Sequence, residues 1–223
     1  MKRLFIVTLA VVIGFLTGIV STASADSIQG KSAVGVNLMY VMPSGGASVG
    51  DIDLSTDLDS AIGFGATYTY GLAQTWALEV SLDRSSNDVK DSGINFATSD
   101  ITTLAFTGQY RPEISSMTLS PYVGIGMGYS YVSHSLSSEA KDTLCYDSSP
   151  CRIYGGNNAI AVLLNAGVDY FINDNWAIVA EGRYTISSVE PQLQFNDAIY
   201  DYDLDFELNL DRIDLRTGVK YYF

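Results

Sequence analysis

The C-terminal stretch Asp211–Phe223 constrains this chain more than any other. Ile213, Leu215, Val219, Tyr221 and Phe223 share one parity with Thr217, while Arg212, Asp214, Arg216, Gly218, Lys220 and Tyr222 share the other. Successive side chains of a strand point to opposite faces, so one face here is apolar and aromatic and the other ionic. A soluble sheet would turn the ions to water and the apolar face to a core. A transmembrane barrel turns the apolar face to lipid and the ions to a polar lumen.

The beginning of the chain bears on that choice. Lys2 and Arg3 precede an almost wholly apolar run from Leu4 to Val20, and Ala23-Ser24-Ala25 supplies a small-residue cleavage site. This is the pattern of a secretory signal over residues 1–25, with a mature start at Asp26; a retained membrane anchor is the alternative. Beyond Ala25 no apolar run approaches the ~20 residues a spanning helix needs. Any bilayer crossed by the region 26–223 is therefore expected to be crossed by strands. Without Lys2 and Arg3 the chain carries 10 basic against 25 acidic residues, a formal charge of −15. That balance argues against nucleic acid, whose phosphates need a basic footprint, and is read as solvated acidic loops.

Eight segments alternate: 32–41, 60–70, 76–84, 101–111, 121–132, 159–171, 176–187 and the terminal strand. Trp76, Leu78, Val80 and Leu82 stand opposite Glu79, Ser81 and Asp83; Val123, Ile125, Met127, Tyr129 and Tyr131 stand opposite Gly124, Gly126, Gly128 and Ser130. Each segment is close to the ~9–11 residues that cross a bilayer as a tilted strand. The connections 71–75, 112–119 and 173–175 are short, whereas 42–59, 85–100, 133–158 and 188–210 are long. Trp76, Trp176, Tyr70, Tyr110, Tyr170, Tyr221 and Phe223 gather near the short turns, as an interfacial aromatic girdle does. A soluble β-sandwich also has alternating strands, but has no reason for this loop asymmetry. The expectation is all-β: an eight-stranded antiparallel up-and-down transmembrane β-barrel with long extracellular loops and short periplasmic turns. An even strand count lets such a sheet close with no exposed edge, as hydrocarbon requires.

The export signal, the eight strands, the turn Asp169-Tyr-Phe-Ile-Asn-Asp-Asn-Trp176 and the terminal Tyr221-Tyr222-Phe223 resemble the small outer-membrane β-barrels of Gram-negative bacteria. That group includes OmpX/Ail-like, opacity-type, OmpA-barrel and OmpW-like proteins. The resemblance implies the outer membrane as location, reached through the periplasm, and outer-membrane lipid and lipopolysaccharide as surroundings. It also implies that Tyr221 and Phe223 serve as the signal read by the outer-membrane assembly machinery. A monomer is expected, since small barrels of this type are often monomeric.

Glu79, Asp83, Arg111, Asp169, Glu181, Arg183, Asp214, Arg216 and Lys220 all fall on inward parities. An Arg or Lys facing lipid at the midplane costs ~2–4 kcal/mol, so the lumen is where charges belong, and burial there favours mutual ion pairs. An eight-stranded interior is just wide enough for side chains to fill. The plain reading is a plugged lumen; the functional one is a narrow conduit, since OmpW-like proteins are associated with passage of small hydrophobic compounds. The inward glycines leave local room for it, although the face is ionic rather than greasy.

In the fourth long connection Tyr200, Tyr202, Leu204, Phe206 and Leu208 alternate with Asp201, Asp203, Asp205, Glu207 and Asn209. The apolar parity is even here and odd from Ile213, so a bulge or turn is expected near 210–212. With Asn196-Asp197 as its tip, 188–210 forms a hairpin beyond the membrane. Tyr200, Asp201, Tyr202, Asp203, Asp205 and Phe206 are its candidate interaction residues, offered to an extracellular protein or small hydrophobic ligand by strand addition or packing, or else packed on the chain's own first loop around Ile52 and Leu54. Cys145 and Cys151 lie in a polar loop and are read as a local disulfide, as expected of exported chains. The acidic runs could hold divalent cations or bridge lipopolysaccharide through them, but they lack the EF-hand glycine and spacing, so no specific metal site and no cofactor is implied. His134, beside Ser133, Ser135 and Glu139, is the lone candidate base, and lipid-A acyl hydrolases and acyltransferases exist among eight-stranded barrels. No motif of either enzyme group is present, so a non-enzyme is expected.

Overall fold

The computed structural model describes residues 28–44, 47–49, 52–54, 57–91, 94–112, 118–136, 151–155, 158–189, 191–196, 201–205 and 207–223, with backbone alone for 47–49, 52–54, 57–58, 89–91, 94–97, 134, 136, 151–155, 188–189, 191–196, 201–205 and 207–208. Eight strands form the wall: β1 Ser32–Pro43, β2 Ala61–Gly71, β3 Trp76–Asp91, β4 Ile94–Tyr110, β5 Leu119–Leu136, β6 Asn158–Phe171, β7 Trp176–Ile186 and β8 Arg212–Tyr222. Each pairs antiparallel with its chain neighbour, and β1 pairs with β8, so the sheet closes. At that seam Val36 stands opposite Val219 on one side and Ala66 on the other. Two backbone bonds between Ser32 and Phe223, of 2.9 and 2.8 Å, finish it at the short-turn rim.

Alternation decides which face is which. Ile62, Phe64, Val36, Leu38, Ile125, Met127 and Ile160 are exposed on the outside, Ile62 by 77%. The charged residues of the opposite parity are buried within. This inverts a soluble sheet and is the arrangement in which lipid replaces the missing core. Trp76 packs on Tyr110 and Trp176 on Tyr221, with ring centroids 5.3 and 5.0 Å apart, forming the girdle at the short-turn rim. The turns are built alike: Leu72 N–H donates to the Trp76 carbonyl at 2.9 Å and Ile172 N–H to that of Trp176 at 2.8 Å. In the second, Asn173 Oδ1 also accepts from the N–H groups of Asn175 and Trp176, the side-chain-mimicked turn that explains an Asn there.

One expected boundary is corrected. The connection placed at 85–100 is only 92–93, because β3 runs on to Asp91 and β4 begins at Ile94. β5 likewise continues to Leu136. In these extensions Ser85, Asn87 and Ser99 point inward and are buried, while Ser86 is exposed outside. Over 85–88 and 98–100 both parities are polar, so the apolar contrast that marks a strand within hydrocarbon is absent there.

Beyond the wall, the long connections pair with one another. Leu208 stands opposite Val189 on one side and Ala47 on the other, and 47–49 pairs with 52–54, so the fourth connection joins the first in a four-stranded sheet. Asp201–Asp205 pairs with Pro191–Asn196, which pairs in turn with Cys151–Gly155. The strand interruption expected near 210–212 falls between Asn209 and Arg212. There Leu210 donates its N–H to the Ser187 carbonyl at 2.8 Å and buries its side chain with Ile101, Val132 and Ala159. At the other mouth Ile28 packs with Ala33, Ala77, Ala177 and Tyr222. Gly30, at φ 75°, turns the chain into that mouth, where its N–H bonds the Gly71 carbonyl at 2.9 Å. Residues 1–25, Cys145, Tyr200 and Phe206 lie outside the described residues, as do the side chains of His134, Cys151, Asp201, Tyr202, Asp203 and Asp205.

Candidate functional site in the barrel lumen

All nine charged positions read as inward from the sequence are buried in the lumen, and Arg212 joins them. Among the described residues, five buried carboxylates (Glu79, Asp83, Asp169, Glu181, Asp214) face five buried cations (Arg111, Arg183, Arg212, Arg216, Lys220). Their formal charges cancel. Taking one ion out of water costs several kcal/mol, so each must be met by partners in good geometry.

Glu181 on β7 is the junction. Its Oε1 accepts from Arg183 Nε at 3.1 Å and from Arg216 Nη1 at 2.9 Å, and its Oε2 from Tyr122 Oη at 2.8 Å and Asn165 Nδ2 at 2.9 Å. Arg183 also crosses the lumen to β3, reaching Asp83 at 3.0 Å, Ser81 Oγ at 3.0 Å and Glu79 at 3.3 Å. Arg216 bridges to Asp83 and to Asn37 Oδ1. Lys220 Nζ joins Glu79, at 2.9 Å, to Asp169 at 3.7 Å. Asp169 Oδ2 accepts from Arg111 at 2.6 Å and from Tyr222 Oη at 2.5 Å. Arg111 is anchored by Gln109 Oε1 and lies over the Tyr122 ring, 4.4 Å from its centroid. Nearer the loop rim, Arg212 Nε donates to Asp214 at 3.3 Å.

Eight of the nine sequence-read positions thus form one connected set, and Asp214 reaches Arg212 beside it. Sequence reasoning missed Arg212, Tyr122, Tyr222, Asn165 and Gln109 as members. All had some signal: Arg212 and Tyr222 sit on the ionic parity of β8, Tyr122 on the glycine parity of β5, Asn165 on the polar parity of β6, and Gln109 on the parity of Arg111 in β4. Gly167 matters for the tyrosine: a Cβ there would lie 2.6 Å from the Tyr122 ring and hydroxyl, so its absence gives the ring its place. Gly65 makes room for Asp83 in the same way.

The arrangement fills the interior rather than opening it. A cavity of about 10 Å³ beside Asn37, Thr67, Glu79, Tyr122, Glu181 and Arg216 has room for roughly one water. The carboxylates of Glu79, Asp83 and Glu181 accept on both oxygens. The candidate loop residues Asp201, Tyr202, Asp203 and Asp205 are on a different element, the extramembrane strand paired with 191–196. Tyr221 and Phe223 are outward at the short-turn rim, Phe223 by 61%.

The closed barrel has counterparts among solved structures. It is similar to the outer membrane protein OprG from Pseudomonas aeruginosa, at 18% identity and a TM-score of 0.69, over 87% of this chain and 96% of that one. AlkL, determined in lipid bilayers, matches at 17% identity and a TM-score of 0.56, over 93% and 96%. Escherichia coli outer membrane protein W matches at 17% identity and a TM-score of 0.50, over 87% and 98%. At these identities the likeness is one of fold. No curated protein matches the sequence. The sequence itself matches the outer membrane protein beta-barrel domain over residues 9–223. With an apolar belt outside, a compensated ionic interior and a family match spanning nearly its full length, the chain belongs to the outer-membrane β-barrel family of Gram-negative bacteria.

Proposed function

We propose that this protein is a non-enzymatic surface protein of the outer membrane. Its barrel is a closed scaffold, and its working surface is the strand assembly beyond the loop rim. The observation that carries this reading is the lumen: five carboxylates and five cations, all buried and joined in ion pairs. Passage of a solute would have to break several buried ion pairs, each strongly coupled to its neighbours.

The working surface offers a usable edge. Among the described residues Asp201–Asp205 pairs on one side only, with Pro191–Asn196. Its sequence places Asp201, Asp203 and Asp205 at alternate positions. An extended partner segment with basic residues at alternate positions would add to such an edge through backbone bonds and opposite-charge cross-strand pairs. A second copy of the same acidic strand would be repelled. The lipopolysaccharide surface and other envelope components are the surroundings in which this edge works.

The alternative is a narrow channel for small, largely hydrophobic solutes, to which the likeness to outer membrane protein W draws attention. Flux into proteoliposomes separates the two. With small apolar and small polar solutes, vesicles carrying the protein should fill no faster than empty ones. Faster filling by the wild type with either solute class would replace the scaffold reading with passage.

A further inference from the structure

The lipid-facing belt has a notch. Outward residues stay apolar along β2 as far as Ile62 and along β5 through Tyr129 and Tyr131, exposed by 52 and 51%. On the two strands between them, the apolar run stops sooner. β3 passes from Leu82 to Arg84 and Ser86, and β4 from Leu104 to Thr102 and Asp100, all on the outward parity. Arg84 lies opposite Phe64 on β2 and Thr102 on β4. It is eight residues from Trp76 along β3, which is about 20 Å along the membrane normal for a rise of ~3.4 Å per residue and a tilt of ~40°. That is near the top of an apolar band ~25 Å tall whose lower edge is the girdle.

An arginine in that place is costly if it faces hydrocarbon and favourable if it meets an anion at the headgroup level. Its protein partner does not saturate it. Asp100 lies 3.9 Å away, at the long end of an ion pair, and the two side chains remain 58 and 44% exposed. Exposed pairs of this kind contribute only ~0–1 kcal/mol, leaving guanidinium donors for a planar, two-pronged contact with a phosphoryl group. Among the side chains described at this rim, Arg84 is the one basic group pointing outward, on a chain of strongly acidic balance. Directly beneath it are Leu82 and Leu104, exposed by 53 and 40%, with Phe64 at its side by 62%. The notch therefore presents a cation above an apolar floor, the complement of a phosphorylated acyl lipid.

We propose that this notch seats one phosphorylated glycolipid of the outer leaflet. Arg84 holds a phosphoryl oxygen pair, Thr102 offers its hydroxyl at the same level, and Leu82, Leu104 and Phe64 lie along the acyl chains. Asp100 is the competitor that the phosphate displaces from the guanidinium.

Native mass spectrometry of the folded mature protein, with added diphosphoryl lipid A or the same lipid stripped of its phosphates, tests this. The wild type should retain the phosphorylated lipid about tenfold better, the worth of one charge-assisted hydrogen-bond pair. Arg84→Gln should erase that preference and Arg84→Lys should keep part of it, because an ammonium is a point charge without the fork. Asp100→Asn should hold or raise it. Heat-dependent gel migration identifies the folded species of each variant. Equal retention of the two lipids by the wild type, or an undiminished preference in folded Arg84→Gln, overturns the assignment. If Arg84→Gln fails to fold, a preference lost rather than held in Asp100→Asn does the same.

Discussion

Replacing Arg183 by Leu removes the cation that touches most carboxylates in the lumen. Arg183 is 2% exposed and bonds Glu181, Asp83 and Glu79. Its loss leaves five buried carboxylates against four cations. Breaking a buried pair by removing one partner costs about 3–5 kcal/mol, and the upper half of that range applies here because three carboxylates lose a donor at once. Adding Glu181→Leu restores equal numbers of acids and bases. Replacing both members of a buried pair by apolar groups is often close to neutral, so the double variant should recover at least about 2 kcal/mol relative to the sum of the two single losses. Tryptophan fluorescence of Trp76 and Trp176 during urea unfolding from lipid vesicles gives the free energies, provided unfolding is reversible. An Arg183→Leu loss below about 1 kcal/mol, or a double variant that is merely additive, would refute the view that the network is buried and coupled.

Other expected outcomes follow from the same geometry. Gly167→Leu drives a side chain into the Tyr122 ring and should lower the unfolding free energy by about 1–3 kcal/mol on urea titration, with Gly182→Ala, whose Cβ meets nothing, as the tolerated control. Ile28→Ala should cost about 2–4 kcal/mol and speed amide exchange at Gly30 and Gly71, since Ile28 closes the short-turn mouth. Phe223→Ser removes a ring that is 61% exposed and keeps the two backbone bonds to Ser32, so it should change the stability of refolded protein little yet lower the amount assembled in the outer membrane, read as the heat-modifiable fraction in membrane extracts.

Much of this was legible from alternation. Glu79, Asp83, Glu181 and Arg183 were identifiable as inward because Leu78, Val80, Leu82, Ile178 and Ala180 mark the lipid side of the same strands. The contrast fades once a strand leaves the bilayer, which is why 85–91 and 94–100 read as loop. Which charges meet was a different matter. Arg183 and Asp83 lie on β7 and β3, which are not neighbours in the wall, and their contact depends on the stagger of the closed sheet. Tyr122 was hidden for the same reason: the register that sets it beside Gly167 and within reach of Glu181 does not follow from parity. The parity break at 210–212 was visible, but its consequence, Leu210 turning into the loop-side mouth, was not.

The closed lumen is the centre of this account, and single-channel recording of the refolded protein in a planar bilayer tests it most directly. A closed lumen should leave the wild type silent. Arg216→Ala, which unties Glu181 and Asp83, should admit small irregular currents, and Asp214→Asn, which pairs with Arg212 at the loop end, should not. Discrete, stable openings in the wild type would contradict it and make the ionic lumen a conducting path.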